Sequence, residues 1–187
     1  MPIFYHLDRA GTLEVDRRVE LIKDYTQQPL IEIKDLIDKQ KIVDRLNRLY
    51  PNGISYHGIQ YLLNTNLIVN DHCGNPTTFT LSNPMMEAIF ELVRRSEFSH
   101  LPSRMQSVFC WQTLSDLKKF DNNSRFKIYE IETDDYFIGD MNLLYLGGQM
   151  IHAAEFARMY WSGERSKQPH LEVLVPLPTK IGLEVNY

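Results

Sequence analysis

A chain of 187 residues suits one domain, and with 43% hydrophobic and 24% charged residues it has the balance of a globular protein. Lys plus Arg number 20 against 24 for Asp plus Glu, and the net charge of −4 argues against a chain that coats nucleic acid non-specifically, though not against a local basic groove. No apolar run approaches the roughly 20 residues of a membrane helix. "MPIFYHLDRAG" lacks the basic-then-apolar order of a secretion signal. Cys73 and Cys110 lie far apart and form neither a disulfide framework nor a metal-ligand spacing, so a cytoplasmic location is expected. There is no internal repeat and no low-complexity segment.

In chain order, "IFYHL" reads as an aromatic-rich strand and "RAGT" as a turn. Leu13 to Tyr25 has a weak helical tendency, interrupted at Pro29. Across 31–49, Ile33, Leu36, Ile37, Val43 and Leu46 recur at helical spacing, and "PNG" at 51–53 ends that helix. Ser55 is a natural N-cap for a short helix over "YHGIQYLL". "NDHCGNPTTF" at 70–79 reads as loop. "SNP" at 82–84 is a strong helix start, with Ser82 or Asn83 as cap, Pro84 in the first turn and Glu87 close behind. Met85, Ile89 and Leu92 are expected to share one face of that helix. Then come a strand at "SVFCW", a helix at "TLSDLKKF" capped by Thr113 or Ser115, and an alternating strand at "RFKIYEIET". "DDYFIGDMNLL" is mixed. "QMIHAAEFARMYW" is a helix with Ile151, Ala154 and Ala157 or Arg158 at helical spacing. The polar "GERSKQP" precedes a last apolar strand. A helical first half and a strand-rich second half make the class α+β.

Glu172 is the first candidate site residue. It opens the strand that carries Val173, Leu174 and Val175, and a charge beside a buried strand is costly unless it is paired or used. The loop before it suits recognition backed by a rigid element. On its own, such a glutamate is more often a solvated or salt-bridged residue. In "FYHLDR", alternation puts Phe4, His6 and Asp8 on one side and Tyr5 and Leu7 on the other, with Arg9 joining the second side if the strand continues. Arg104 in "LPSRMQSVF" suits forked contacts to phosphate oxygens, and a surface ion pair is its plain alternative. A turn explains Asp140 and Asn142 in "GDMNLL" equally well, and His57 fits either a site or a helix face. There is no GxGxxG, P-loop, HExxH or nucleophile elbow, and Cys110 lies in an apolar strand that does not favour a thiolate.

Taken in order, these pieces resemble the ADP-ribosyltransferases. The landmarks are Tyr5-His6 in the first strand, Arg104 ahead of Val108-Phe109, and Asp140-Met141-Asn142. Trp161 before a polar loop and Glu172-Val173-Leu174-Val175 followed by Pro176 complete the series. The series is similar to that of the DarT-type enzymes that modify nucleic acid. The "FYH" start and "IYEIETDDYF" are similar to the rifampin-modifying ADP-ribosyltransferases.

The resemblance implies a single ADP-ribosyltransferase-like domain over 1–187 with a split β-sheet core. Residues 13–100, which have no counterpart, become a largely helical insertion. It implies NAD as substrate, no metal, and Glu172 and Arg104 as the catalytic pair. Glu172 would stabilise the oxocarbenium-like ribose and Arg104 would hold the pyrophosphate. Tyr5, His6 and Arg9 would contact the adenosine side of NAD. Phe109 or Trp111 would pack on nicotinamide, with Ser107 and Asn142 completing the NAD contacts. Lys167, Gln168 and His170 would meet a macromolecular acceptor, RNA, DNA or protein. A role as a toxin or phage-conflict effector with an antitoxin partner, and without a membrane, follows by analogy. His170 departs from the pattern, since many members carry Glu or Gln two residues before the glutamate; this leaves the acceptor open. The alternatives are an RNA 2′-phosphotransferase or a NAD glycohydrolase on the same scaffold, and a non-catalytic nucleotide-binding module.

Overall fold

The computed structural model describes residues 1–25, 38–63, 66–70, 76–80, 84–121 and 126–185. The chain is mixed α+β, as expected. Its centre is β1 (Ile3–Asp8), flanked by β6 (Lys127–Glu132) and β5 (Ser107–Trp111). Outside β5 lie β8 (Leu171–Pro176) and then β7 (Phe137–Asp140), and β10 (Glu184–Val185) closes the other edge. Every pairing in this six-stranded sheet is antiparallel.

Alternation divides the strands between two faces. On one face Phe4, Cys110, Tyr129, Val173 and Val175 form a single apolar cluster. On the other, Phe137 and Leu174 pack against α3 (Pro84–Glu97) and α5 (Met150–Ser162) through Phe90, Ala157 and Trp161. Leu7 and Trp111 meet Leu117 of α4 (Leu114–Phe120) nearby. A separate cluster joins α1 (Lys39–Leu49) and α2 (Tyr56–Leu63) around Leu46, Ile54, Ile59 and Met105. No helix among the described residues is long and apolar enough to cross a membrane.

Several local expectations hold. The Ser55 Oγ accepts from Gly58 N at 3.1 Å at the start of α2, and the Thr113 Oγ1 accepts from Asp116 N at 3.1 Å at the start of α4. The helix expected over 31–49 runs from Lys39, with Asp38 accepting from Lys41 N at 2.8 Å; residues 31–37 lie outside the described residues. The caps proposed at Ser82 and Asn83 lie outside them too.

Others are corrected. Leu13 to Tyr25 is not helical. It carries β2 (Arg18–Val19), paired with β9 (Thr179–Lys180), and an Ile22–Ile54 bridge. The Asp8 carboxylate accepts from Gly11 N and Leu13 N, both at 2.9 Å, and steers the entry to this stretch into a turn. In the stretch read as loop, Pro76–Thr80 forms β4, paired with β3 (Asn66–Asn70), while residues 71–75 lie outside the described residues. The described residues of 13–100 carry α1, α2 and α3 together with the short strands β2, β3 and β4, and α3 packs on the main sheet.

The face of α3 is also different. Met85 and Leu92 are 69% and 65% exposed, and Met86, Phe90 and Val93 are buried instead. Both sets have helical spacing, and packing against α5 and the sheet selects the second. On α5, Ile151 is exposed, and Ala153, Ala157, Tyr160 and Trp161 form the buried face.

Candidate functional site

Glu172 sits on the helix-covered face of the sheet, opposite Gly139 of β7, and is only 3% exposed. A Cβ on Gly139 would lie 2.3 Å from the Tyr160 ring, so a side chain there would displace that ring. With glycine in place, Tyr160 donates its hydroxyl to Glu172 Oε1 at 2.8 Å. The same hydroxyl accepts from Arg104 Nη1 at 2.8 Å, and Nη1 also bonds Glu172 Oε1 directly. Burial pushes the Tyr160 phenol well above its ordinary range, so it stays a protonated donor. Both bonds to Glu172 fall on Oε1, and none reaches Oε2 among the described residues.

Arg104 comes from a tight turn that several contacts hold. Ser103 Oγ accepts from Met105 N at 3.2 Å, while Ser55 donates to Met105 O through N at 2.8 Å and through Oγ at 3.1 Å. A Cβ on Gly58 would lie 2.5 Å from that same carbonyl, so the start of α2 packs directly on the turn. The Arg104 guanidinium turns its fork to Glu87 of α3: Nε reaches Oε2 at 2.9 Å and Nη2 reaches Oε1 at 2.9 Å. Its carbon lies 4.8 Å from the centre of the Phe109 ring. Burial works against the Arg104 charge, but Glu172 and Glu87 outweigh it and hold the group firmly cationic. Burial likewise opposes the charge on Glu87, yet Arg104 and His57 hold its carboxyl down at about 2.

His57 Nε2 stands 3.4 Å from Glu87 Oε1 without hydrogen-bond geometry, and its ring packs 4.4 Å from both Tyr61 and Phe109. The result is a chain, His57–Glu87–Arg104–Glu172, buried from Glu87 onward, with Tyr160 closing its far end. Two carboxylates share one guanidinium, and His57 stands at the Glu87 end of the array. Removing one member of such a buried pair typically costs about 3–5 kcal/mol, because the other charge is left uncompensated.

The remaining expected site residues divide. Tyr5 pairs with Trp111, and the β5–β8 register, Cys110 with Val173, places Trp111 opposite Glu172 one step further on. Tyr5, Trp111 and Glu172 therefore occupy one row on one face. His6 pairs with Cys110 and projects from the opposite face, with Nδ1 2.8 Å from Phe109 O. Burial lowers its pKa. The structure does not bring His6 to Glu172. Ser107 is a brace, donating its hydroxyl to Ser103 O at 2.8 Å. Arg9 pairs with Asp121 at 2.8 Å and lies over Phe120.

Asp140 and Asn142 organise the loop before β8. Asp140 accepts from Ser166 N at 2.7 Å, His170 N at 2.9 Å and Asn142 N at 3.1 Å. Burial opposes its charge, but these amides hold its pKa below the ordinary value. Asn142 Nδ2 donates to Gln168 O at 2.7 Å and Ser166 Oγ at 3.0 Å. Lys167 and Gln168 are exposed on this loop, and His170 is half-buried, with its ring 6.0 Å from that of Phe120.

Glu87 and Tyr160 are not legible as site residues in the sequence, where Glu87 reads only as a helix-start residue and Tyr160 only as part of a helix. The available signal was polar spacing, since Glu87, Glu91 and Arg94 recur at helical intervals beside the buried apolar positions of α3.

Fold and site together define an α+β protein whose antiparallel sheet carries a buried Glu–Arg–Glu array on its helix-covered face. The chain belongs to the DUF2441 family, described as protein of unknown function, whose model matches residues 4–186. No curated protein matches the chain.

Proposed function

We propose that the chain is an NAD-dependent ADP-ribosyltransferase with an ADP-ribosyltransferase-like sheet, in which Glu172 acts on the nicotinamide ribose. The observation that carries this is the state of that carboxylate. It is buried on a rigid strand, anchored through Oε1 by Arg104 and Tyr160, with Oε2 unbonded among the described residues. Breaking the nicotinamide–ribose bond sends its electron pair to nicotinamide and leaves oxocarbenium character on the sugar. A fixed carboxylate oxygen stabilises that charge where it develops. A nucleophilic oxygen or nitrogen of the acceptor then bonds the anomeric carbon and gives up its proton to water.

Arg104 Nε, Nη1 and Nη2 all bond within the protein, so the role proposed for Arg104 is to orient Glu172 rather than to grip pyrophosphate. The role proposed for Tyr5 and Trp111, which share a row with Glu172, is to pack on the dinucleotide. The role proposed for the loop with Lys167, Gln168 and His170 is to meet a macromolecular acceptor. A NAD glycohydrolase would use the same site with water as acceptor.

The test is incubation with labelled NAD and RNA, DNA or protein, followed by mass spectrometry. The expected outcome is ADP-ribose on one acceptor class, lost by about 10²–10³-fold in Glu172→Gln. Near-normal activity in that variant overturns the assignment.

A further inference from the structure

We infer that Glu87 is a positioning residue for Glu172, acting through Arg104. This rests on the proposed role of Glu172 and adds how one of its oxygens stays open.

A guanidinium beside a carboxylate favours the forked geometry, two parallel N–H bonds to both oxygens. In this structure the fork is committed elsewhere. Arg104 Nε and Nη2 bond the two oxygens of Glu87 at 2.9 Å each, and Nη1 alone bonds Glu172. Tyr160 adds its bond to the oxygen that Nη1 already holds. Glu172 is therefore held from one side by two donors, while Oε2 has no bond among the described residues.

Without the Glu87 charge, the Nε–Nη2 fork loses its carboxylate partner. Arg104 is buried, 4% exposed, so water cannot replace a lost carboxylate partner at little cost. The remaining carboxylate within reach is Glu172. Arg104 would rotate to take both of its oxygens, neutralising the group and blocking the oxygen meant for the ribose. Glu87 lies on α3 and Glu172 on β8, so the device couples helix placement to the state of the strand carboxylate. Phe109, under the guanidinium at 4.8 Å, holds its plane while the edges are shared.

The experiment compares wild type, Glu87→Gln and Glu87→Gln/Arg104→Lys, by crystal structure and by the kinetics of nicotinamide release from NAD. In Glu87→Gln, Arg104 is expected on both oxygens of Glu172. Its kcat should fall by about tenfold or more while KM for NAD stays within about twofold, because the open oxygen acts in the transition state. Adding Arg104→Lys should recover part of kcat, since an ammonium cannot close a fork over a carboxylate. A merely structural role predicts the opposite, a double variant worse than the single one.

Unchanged single-handed contact in the Glu87→Gln crystal, or a double variant no better than the single, overturns the inference. If wild type releases no nicotinamide, the proposed function fails. The inference about Glu87 is then decided by the crystal structure of Glu87→Gln alone. Should that variant not fold, Glu87→Met, which also removes the charge and keeps a side chain of similar length, is judged by the same criteria.

Discussion

Tyr160 reaches Glu172 across Gly139, hydroxyl to Oε1 at 2.8 Å, because the strand between them carries no side chain at the crossing point. The contact joins α5 to β8, one strand in from the β7 edge of the sheet. It also sets the direction in which the carboxylate points, since the Arg104 bond falls on the same oxygen.

Tyr160→Phe keeps the ring and removes this donor. Burial leaves no water to replace it, so the variant should lose about 1–3 kcal/mol of stability, read from urea unfolding. Gly139→Ala should cost a similar amount by a different route, since its Cβ would meet the Tyr160 ring at 2.3 Å and overpack the site by about 1–3 kcal/mol. Unfolding midpoints equal to wild type in both variants would show that this contact carries no structural weight.

Glu87 gives the site a defined acid response. Its carboxyl is held at about 2, below the ordinary 4.5, by Arg104 and His57 against the opposing effect of burial. A depressed folded-state pKa stabilises the fold above the ordinary value, and that stabilisation is lost as pH falls through the folded value. Wild-type stability should therefore drop between pH 4.5 and about 2, and Glu87→Gln should show a shallower drop across the same window. Denaturant midpoints over a pH series make the comparison. Identical slopes would place the acid sensitivity elsewhere.

Asp140 should matter to the loop before β8 rather than to NAD. Its carboxylate accepts from the amides of Ser166 and His170 at 2.7 and 2.9 Å. Hydrogen bonds to a charged group are worth about 1.5–3 kcal/mol, so Asp140→Ala should speed exchange of those two amides by roughly 10- to 100-fold. Because the loop carries Lys167, Gln168 and His170, transfer to an acceptor should fall while slow NAD hydrolysis persists. Hydrogen exchange unchanged at Ser166 and His170 would refute the loop-organising role.

Much of the local structure was legible along the chain. Ser55 and Thr113 announced helix starts because a cap is a contact between residues two or three apart. "IFYHL" and "SVFCW" announced strands by composition and alternation. The strand at Pro76–Thr80 was hidden because Asn, Gly and Pro beside it are turn formers, and only its partner Asn66–Asn70 makes it a strand.

The chain by itself determined the α+β class, most element positions and the anomaly of a glutamate at the head of an apolar strand. Those features depend on neighbours close in sequence, on spacing and on the cost of burying a charge. Tertiary structure decided which helix faces are buried and what surrounds the glutamate. Met85 and Leu92 have the same period as Met86, Phe90 and Val93, and only contact with α5 and the sheet separates the two sets. Arg104 lies 68 residues from Glu172 and 17 from Glu87, and no local pattern says which carboxylate takes its fork. That choice belongs to the packing of α3, β8 and the turn at Arg104 against one another, where burial makes each unpaired charge too costly to leave alone.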